Sequence, residues 1–313
     1  MLGKTAGGLY WMFRFLERAE NTARLIEAGF RIALTRSSDG EAEWKSVVTT
    51  AGALQGYEAA NESYNATDVV NYLLREKDNP SSVLNVTKQA RDNARLVRTA
   101  LTTEVWEAVN ENWMSMQRLL KRRVIETELP SVLATIRQQS ALVRGALHGT
   151  MLRNDIYDFS RIGTFVERAD YTLRILDVKY YTLLPVTSFV GSNLDNVQWE
   201  TILRSVSGHR AFRWLDEDDM TADAIARFLI LDRRFPRSLA FCIHQIQDNL
   251  EYLANEYGER HPCHELADIL RVRLKDRDIS SIFEDGLHEF IGSMISDNNA
   301  LGSQIEQDYR FTG

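Results

Sequence analysis

Phe15-Leu-Glu-Arg-Ala-Glu-Asn-Thr-Ala-Arg-Leu-Ile-Glu27 returns 150 positions later as Phe165-Val-Glu-Arg-Ala-Asp-Tyr-Thr-Leu-Arg-Ile-Leu-Asp177. Six of the thirteen positions are identical, and five more exchange Leu, Ile and Val or Glu and Asp. Two unrelated amphipathic helices easily share a period. They do not easily share a Glu-Arg pair at the same phase of it. The pattern reads as an internal duplication.

Both copies have the helical period. Leu9, Met12, Leu16, Ala19, Ala23, Ile26, Phe30 and Ala33 draw one apolar stripe, and Ile162, Val166, Ala169, Leu173, Leu176 and Tyr180 draw its counterpart. Arg18 and Arg168 lie beside these stripes, each in a row with a Phe, a Thr and a Leu or Ile. An arginine there is half buried and needs a partner. Glu17 and Glu167 stand one residue earlier, about 100° round the helix from the arginine that follows.

The chain has 313 residues, 44% of them hydrophobic, enough to bury a large core as one large or two ordinary domains. A net charge of −7 offers no general attraction to nucleic acid or anionic lipid. Two cysteines, Cys242 and Cys263, are too few for a disulfide framework and fit a reducing cytoplasm. No apolar run reaches the eighteen or so residues of a membrane span, and no export signal is visible.

Five prolines interrupt long helical periods, so the fold class is all-α. Helices are expected at Tyr10 to Thr35, Trp44 to Ala60, Val69 to Arg75, onward to about Leu101, at Glu104 to Arg123, and at Pro130 to Leu147. Asn65 reads as a helix cap, and Asn79-Pro80-Ser81-Ser82 as a turn and helix start with Pro80 in the first turn. The second half retells this order. Trp199 answers Trp44, Thr221 to Asp223 answers the cap before Val69, and Phe235-Pro-Arg-Ser238 answers Asn79 to Ser82. Helices at Pro262 to Lys275 and Ile279 to Tyr309 keep the count equal. The expected architecture is one helical bundle spanning 1–313, built from tandem repeats at about 1–150 and 151–313 that share a core across a pseudo-two-fold. In that arrangement Glu17 meets Arg168 while Glu167 meets Arg18.

With these residues in view, the chain resembles the alpha-E family, named for a Glu-Arg motif on a helix. The resemblance is carried by Leu9 to Met12, Phe15 to Arg24, Asn71 to Leu74, Asn79 to Ser82, Ala90 to Arg95, Glu104 to Asn110, Arg161 to Gly163 and Val166 to Asp170. Phe13 departs from the pattern, where relatives carry glycine. Such proteins are encoded beside, or fused to, circularly permuted ATP-grasp proteins, with transglutaminase-like or proteasome-like peptidases nearby. The resemblance implies a helical subunit that works with an ATP-grasp ligase in peptide amide-bond formation or modification. It places ATP and Mg²⁺ on that partner and no cofactor in this chain. The alternative is that the chain is itself an amide ligase or aminoacyl-transfer enzyme with the Glu-Arg pocket as active site, or a peptide-binding adaptor.

Glu17, Arg18, Glu167 and Arg168 admit two readings. One is a pair of structural ion pairs locking two helices. The other is a polar pocket for a carboxylate, an amine or a partner's side chain, also lined by Asn21, Arg24, Tyr171 and Arg174 on the same faces. A Glu held beside an Arg has a lowered pKa and is a poor general base. Asp92-Asn93 and Asp248-Asn249 recur mid-helix, where Asn is a mediocre helix former. They are expected to hydrogen-bond across helices or to join the same pocket.

His261-Pro-Cys-His264 has no second ligand cluster at zinc spacing, so no metal site is assigned there. The acidic run Asp216 to Asp219 precedes a helix and suits its dipole. Gly3-Lys4-Thr5 lacks the strand and upstream glycine of a phosphate loop. Lys121-Arg-Arg123 and Arg233-Arg234 read as solvated faces. Trp44, Trp106, Trp113, Trp199 and Trp214 read as core.

Overall fold

The computed structural model describes residues 1–34, 40–183, 193–215 and 220–311, with the side chains of 178–183 and 193–197 outside that description. Among the described residues every regular element is helical. The first seven α-helices are α1 (Gly3–Ala33), α2 (Glu41–Thr50), α3 (Leu54–Glu58), α4 (Ala66–Arg75), α5 (Val83–Leu96), α6 (Thr103–Leu119) and α7 (Leu129–Thr150). They are followed by α8 (Asp155–Leu183), α9 (Asn193–Ser205), α10 (His209–Arg213), α11 (Ala222–Leu231) and α12 (Leu239–Tyr257). The last three are α13 (Pro262–Leu274), α14 (Ile279–Glu284) and α15 (Leu287–Asp308). None of the described helices is long and apolar enough to cross a membrane.

Capping decides several starts. Asn65 accepts from the Asp68 N–H, Ser82 from Asn85, Thr221 from Ala224 and Ser238 from Phe241, each satisfying a donor that the first turn leaves open. Pro80 therefore lies in the turn ahead of α5 and not in its first turn.

Several boundaries differ from the periodicity: the helix expected to run to about Leu101 ends at Leu96, before a short 3-10 turn, and the one expected to reach Arg123 ends at Leu119. The first helix begins at Gly3, seven residues before Tyr10, and its glycines lie close against Phe311: a Cβ on Gly7 would sit 2.8 Å from that of Phe311. The helix expected over Trp44 to Ala60 breaks into α2 and α3 at Gly52, whose φ of 68° is left-handed. The one expected over Ile279 to Tyr309 breaks at Gly286, with φ 96°. The apolar spacing of the sequence runs on across both glycines, so the pattern alone conceals the breaks. Thr35, the expected end of the first helix, and the Tyr180 side chain lie outside the described residues, as does Asp216 to Asp219.

The two motif helices are the centre of the molecule. α1 packs along α8 more extensively than any other pair; α5 and α7 flank α1, while α12 and α15 flank α8. Leu9, Met12, Leu16, Ala23 and Ile26 are buried on one helix, Ile162, Val166, Ala169, Leu173 and Leu176 on the other. Their side chains and those of the flanking helices join one apolar cluster drawn from both halves of the chain. Gly163 sets the closest approach: a Cβ there would run into the Tyr10 carbonyl. Trp44 and Trp199 are core, Trp106 and Trp113 are partly buried, and Trp214 is 78% exposed. Helical spacing does not apply to Trp214, which caps the end of the short α10.

Candidate functional site

Arg14, Glu17, Arg18, Asn21 and Arg24 recur every three or four residues, which sets a polar ribbon along α1 beside its apolar stripe. α8 carries Glu167 and Arg168 at the matching height. Because each Glu points about 100° away from its neighbouring Arg, neither pairs within its own dipeptide. Both pair across the helix–helix contact. Glu17 accepts from Arg168 Nε at 2.8 Å and Nη2 at 2.9 Å. Glu167 accepts from Arg18 Nε at 2.5 Å and Nη2 at 3.0 Å, and from Arg14 Nε at 2.9 Å.

Three further groups complete the centre. Glu20, fully buried, takes Arg24 Nη2 at 2.8 Å, Arg237 Nη2 at 2.6 Å and a guanidinium nitrogen of Arg144 from α7. Arg237 Nη1 reaches Glu17 Oε1 at 3.0 Å and Asn21 Oδ1 at 3.2 Å. Arg237 sits in the turn before α12, and its turn is fastened to α8 twice: Arg168 donates to the Pro236 carbonyl and Thr172 to that of Arg237. Three carboxylates, Glu17, Glu20 and Glu167, thus meet six arginines, Arg14, Arg18, Arg24, Arg144, Arg168 and Arg237.

The charge balance fixes the protonation states. Burial alone would raise the Glu17 pKa; Arg168 and Arg237 override it and hold the carboxyl far below the usual range. Burial likewise opposes ionisation of Glu20 and Glu167, and the arginines around them win in the same direction. Arg237 shows the other side of the excess: burial, then repulsion from Arg24, lowers it to about 10. Carboxylates so held are poor general bases near neutral pH. What it can do is bind two helices and a turn into one geometry.

The expected lining residues divide. Asn21 and Arg24 belong to the centre; Arg24 also donates from Nη1 to the Ser205 carbonyl and the Ser207 hydroxyl. Tyr171 is buried beside it. Arg174 turns away and pairs with Asp170 of its own helix at 2.6 Å. Arg14, Glu20, Arg144 and Arg237 were not singled out in the sequence. Arg14 and Glu20 fall in the ribbon's spacing and were legible there; Arg144 and Arg237 arrive from other elements and carry no local signal.

The repeated Asp-Asn pairs do not bridge helices through their amides. Asn93 Nδ2 donates to the Gln89 carbonyl at 2.9 Å and Asn249 Nδ2 to the Gln245 carbonyl at 2.6 Å, both four residues back on the same helix. A short amide side chain reaches that carbonyl's second lone pair more readily than a neighbouring helix. Asp92 pairs with Lys88 at the surface, and Asp248 takes Gln245 Nε2 at 3.3 Å. Asp248 and Asn249 line a separate cleft between α8 and α12.

The His261 to His264 stretch forms a helix start. His264 Nδ1 accepts from the His261 N–H at 2.9 Å, and its Nε2 contacts the Leu250 carbonyl at 3.0 Å, so both ring nitrogens are engaged. Cys242 and Cys263 are free, buried thiols with raised pKa values, chiefly from burial. Arg122 and Arg123 pair with Glu128 and Asp68 at the surface.

Sequence comparisons give a family and little else. The model of Alpha-E, a predicted alpha-helical domain with a conserved ER motif, matches residues 1–309. An uncharacterized protein of Mycobacterium bovis is 21% identical over 309 residues, covering 92% of this chain and 34% of its own length. Two uncharacterized proteins of Mycobacterium tuberculosis strains match over the same extent at 21% and 20% identity. The chain spans about a third of the length of these relatives. No solved structure matches.

Proposed function

The chain belongs to the Alpha-E family, and from that premise we propose a helical subunit that cooperates with an ATP-grasp ligase in forming or modifying peptide amide bonds. The observation that carries the non-catalytic part is the saturation of Glu17, Glu20 and Glu167 by arginine in a buried centre. A reaction centre for amide chemistry needs a group free to move a proton, and these groups are spent on the fold. The chain's contribution is then shape and binding, with ATP and Mg²⁺ on the partner. The relatives are about three times as long as the stretch they share with this chain, which leaves room for a fused partner of that kind.

We further propose that the two halves descend from one duplicated unit and pack as tandem, pseudo-two-fold repeats. Reciprocal pairing of Glu17 with Arg168 and Glu167 with Arg18 is what a two-fold between twin helices produces. Thr221 and Ser238 cap α11 and α12 as Asn65 and Ser82 cap α4 and α5, which supports the same origin.

Co-expression with the ATP-grasp protein encoded nearest the gene tests the partnership. The two should co-purify, and ATP consumption in the presence of amino acids or peptides should need both. ATP turnover by the isolated chain, or an ATP-grasp protein indifferent to its presence, would reject the proposal.

A further inference from the structure

A cleft of about 450 Å³ opens between the first turns of α8 and the middle of α12, within the size range of small-molecule sites. Its lining includes Arg153, Asn154, Asp158, Arg161, Gln245 and Asp248. Two of these are conspicuous for what they do not contact. Asp158 is 5% exposed, and among the described residues the groups acting on its carboxyl are like charges, Glu256 and Asp155, with no hydrogen-bond donor or cation. Asn154, one turn earlier on the same face, has a buried Oδ1 that also lacks a donor. A buried bare acceptor such as Asn154 Oδ1 is costly, and the Asp158 carboxyl, at the cleft wall, is pushed up to about 7 by burial, then by Glu256 and Asp155, so both groups call for a ligand or a stated role.

The opposite charge is present in the same cleft and is kept from Asp158. Arg161 lies three residues along α8, near enough in a helix to pair with it. Instead its guanidinium stacks 4.3 Å from the Phe165 ring centre and donates to His148 Nε2 at 3.1 Å and Gln245 Oε1 at 3.2 Å. It has no carboxylate within ion-pair distance among the described residues. Accepting from Arg161 leaves the His148 proton on Nδ1, toward the Tyr157 hydroxyl at 2.9 Å, and neighbouring arginines, after burial, push that imidazole down to about 4. His148 is therefore a neutral spacer, not a counterion. Arg153 is likewise spent on the Met151 and His148 carbonyls.

A carboxylate and a guanidinium held apart, each without a charged partner, complement a molecule that carries both charges. We propose that this cleft binds a small zwitterion, an amino acid or short peptide. Its ammonium sits on the Asp158 carboxylate and Asn154 Oδ1, and its carboxylate faces Arg161. The three N–H bonds of an ammonium suit two bare acceptors and leave one for solvent or Asp248. The site supplies the amino component to the ligase reaction proposed above. It does not need that partner in order to bind.

The test uses the full chain alone at pH 8, where the Asp158 carboxyl, raised to about 7, is mostly ionised, with L-alanyl-L-alanine, its N-acetylated form and its C-terminal amide, followed by calorimetry. The expected result is saturable binding of the free dipeptide with Kd below about 1 mM. N-acetylation should weaken it at least about tenfold, and amidation should weaken it as well. Asp158→Asn should weaken the free dipeptide by a similar factor. This variant removes a buried charge and stays folded, which its unfolding temperature checks. No saturable heat up to about 10 mM, equal binding of acetylated and free forms, or unchanged affinity in Asp158→Asn would overturn the assignment. The ATP-grasp partnership fails separately, by co-purification, and neither outcome decides the other.

Discussion

Replacing Glu17 by Gln keeps the shape of the side chain and removes its charge. In the native centre Glu17 receives three charge-assisted hydrogen bonds, two from Arg168 and one from Arg237. A Gln retains one acceptor and turns its amide N–H bonds toward guanidinium donors. Both arginines are buried to within 7% exposure, so they have no water to fall back on. Removing one partner of such a group costs about 3–5 kcal/mol, mostly the uncompensated charge left behind. At about 2.1 cal/mol/K of unfolding entropy per residue, a 313-residue chain loses roughly 1.5 °C for each kcal/mol, so Tm should fall by about 5–8 °C. The pH dependence carries the sign. The folded-state pKa of Glu17 is depressed, so its stabilisation is complete above about pH 4.5 and is lost as pH falls toward the folded value. Below about pH 4.5 the gap between wild type and variant should therefore close by about 1.4 kcal/mol per unit. Urea and thermal unfolding at pH 7 and pH 3.5 measure both effects. A loss under about 1 kcal/mol at pH 7, or a gap that does not narrow in acid, would show that the centre is hydrated and refute the reasoning.

Arg168→Ala should destabilise by a similar 3–5 kcal/mol, while Arg18→Ala should cost about 1 kcal/mol. The Arg168 side chain is 8% exposed and the Arg18 side chain 28%, and Glu167 keeps Arg14 when Arg18 is lost; urea midpoints of the two variants make the comparison. Gly163→Ala should cost about 1–3 kcal/mol or more, because the new methyl meets the Tyr10 backbone rather than a side chain that can swing away; a thermal scan reads it. Burial, then Glu256 and Asp155, raise the Asp158 carboxyl to about 7. The stability it contributes in its protonated form is present below about pH 4 and lost as pH rises through 7. Asp158→Asn should therefore raise Tm over wild type at pH 8 and much less at pH 5.

The sequence determined the class and the pairing. An uninterrupted 3.6-residue period makes helices of α1 and α8, and the phase of Glu17 against Arg18 forbids a bond within the dipeptide. The same phase at Glu167 and Arg168 offers each residue a partner on the other helix. Caps at Asn65, Ser82, Thr221 and Ser238 were equally local, since the donor each satisfies lies three residues on. Only the tertiary structure decided where the helices break at Gly52 and Gly286, because the apolar spacing of the sequence runs on across both glycines. It also decided that Arg144 and Arg237 enter the centre and Arg174 leaves it, and that Asp158 and Arg161 face one cleft unpaired. The arrival of Arg144 and Arg237 rests on contacts between residues far apart in the chain. Periodicity reports which face of a helix is buried, and says nothing of which charge arrives from elsewhere to meet it.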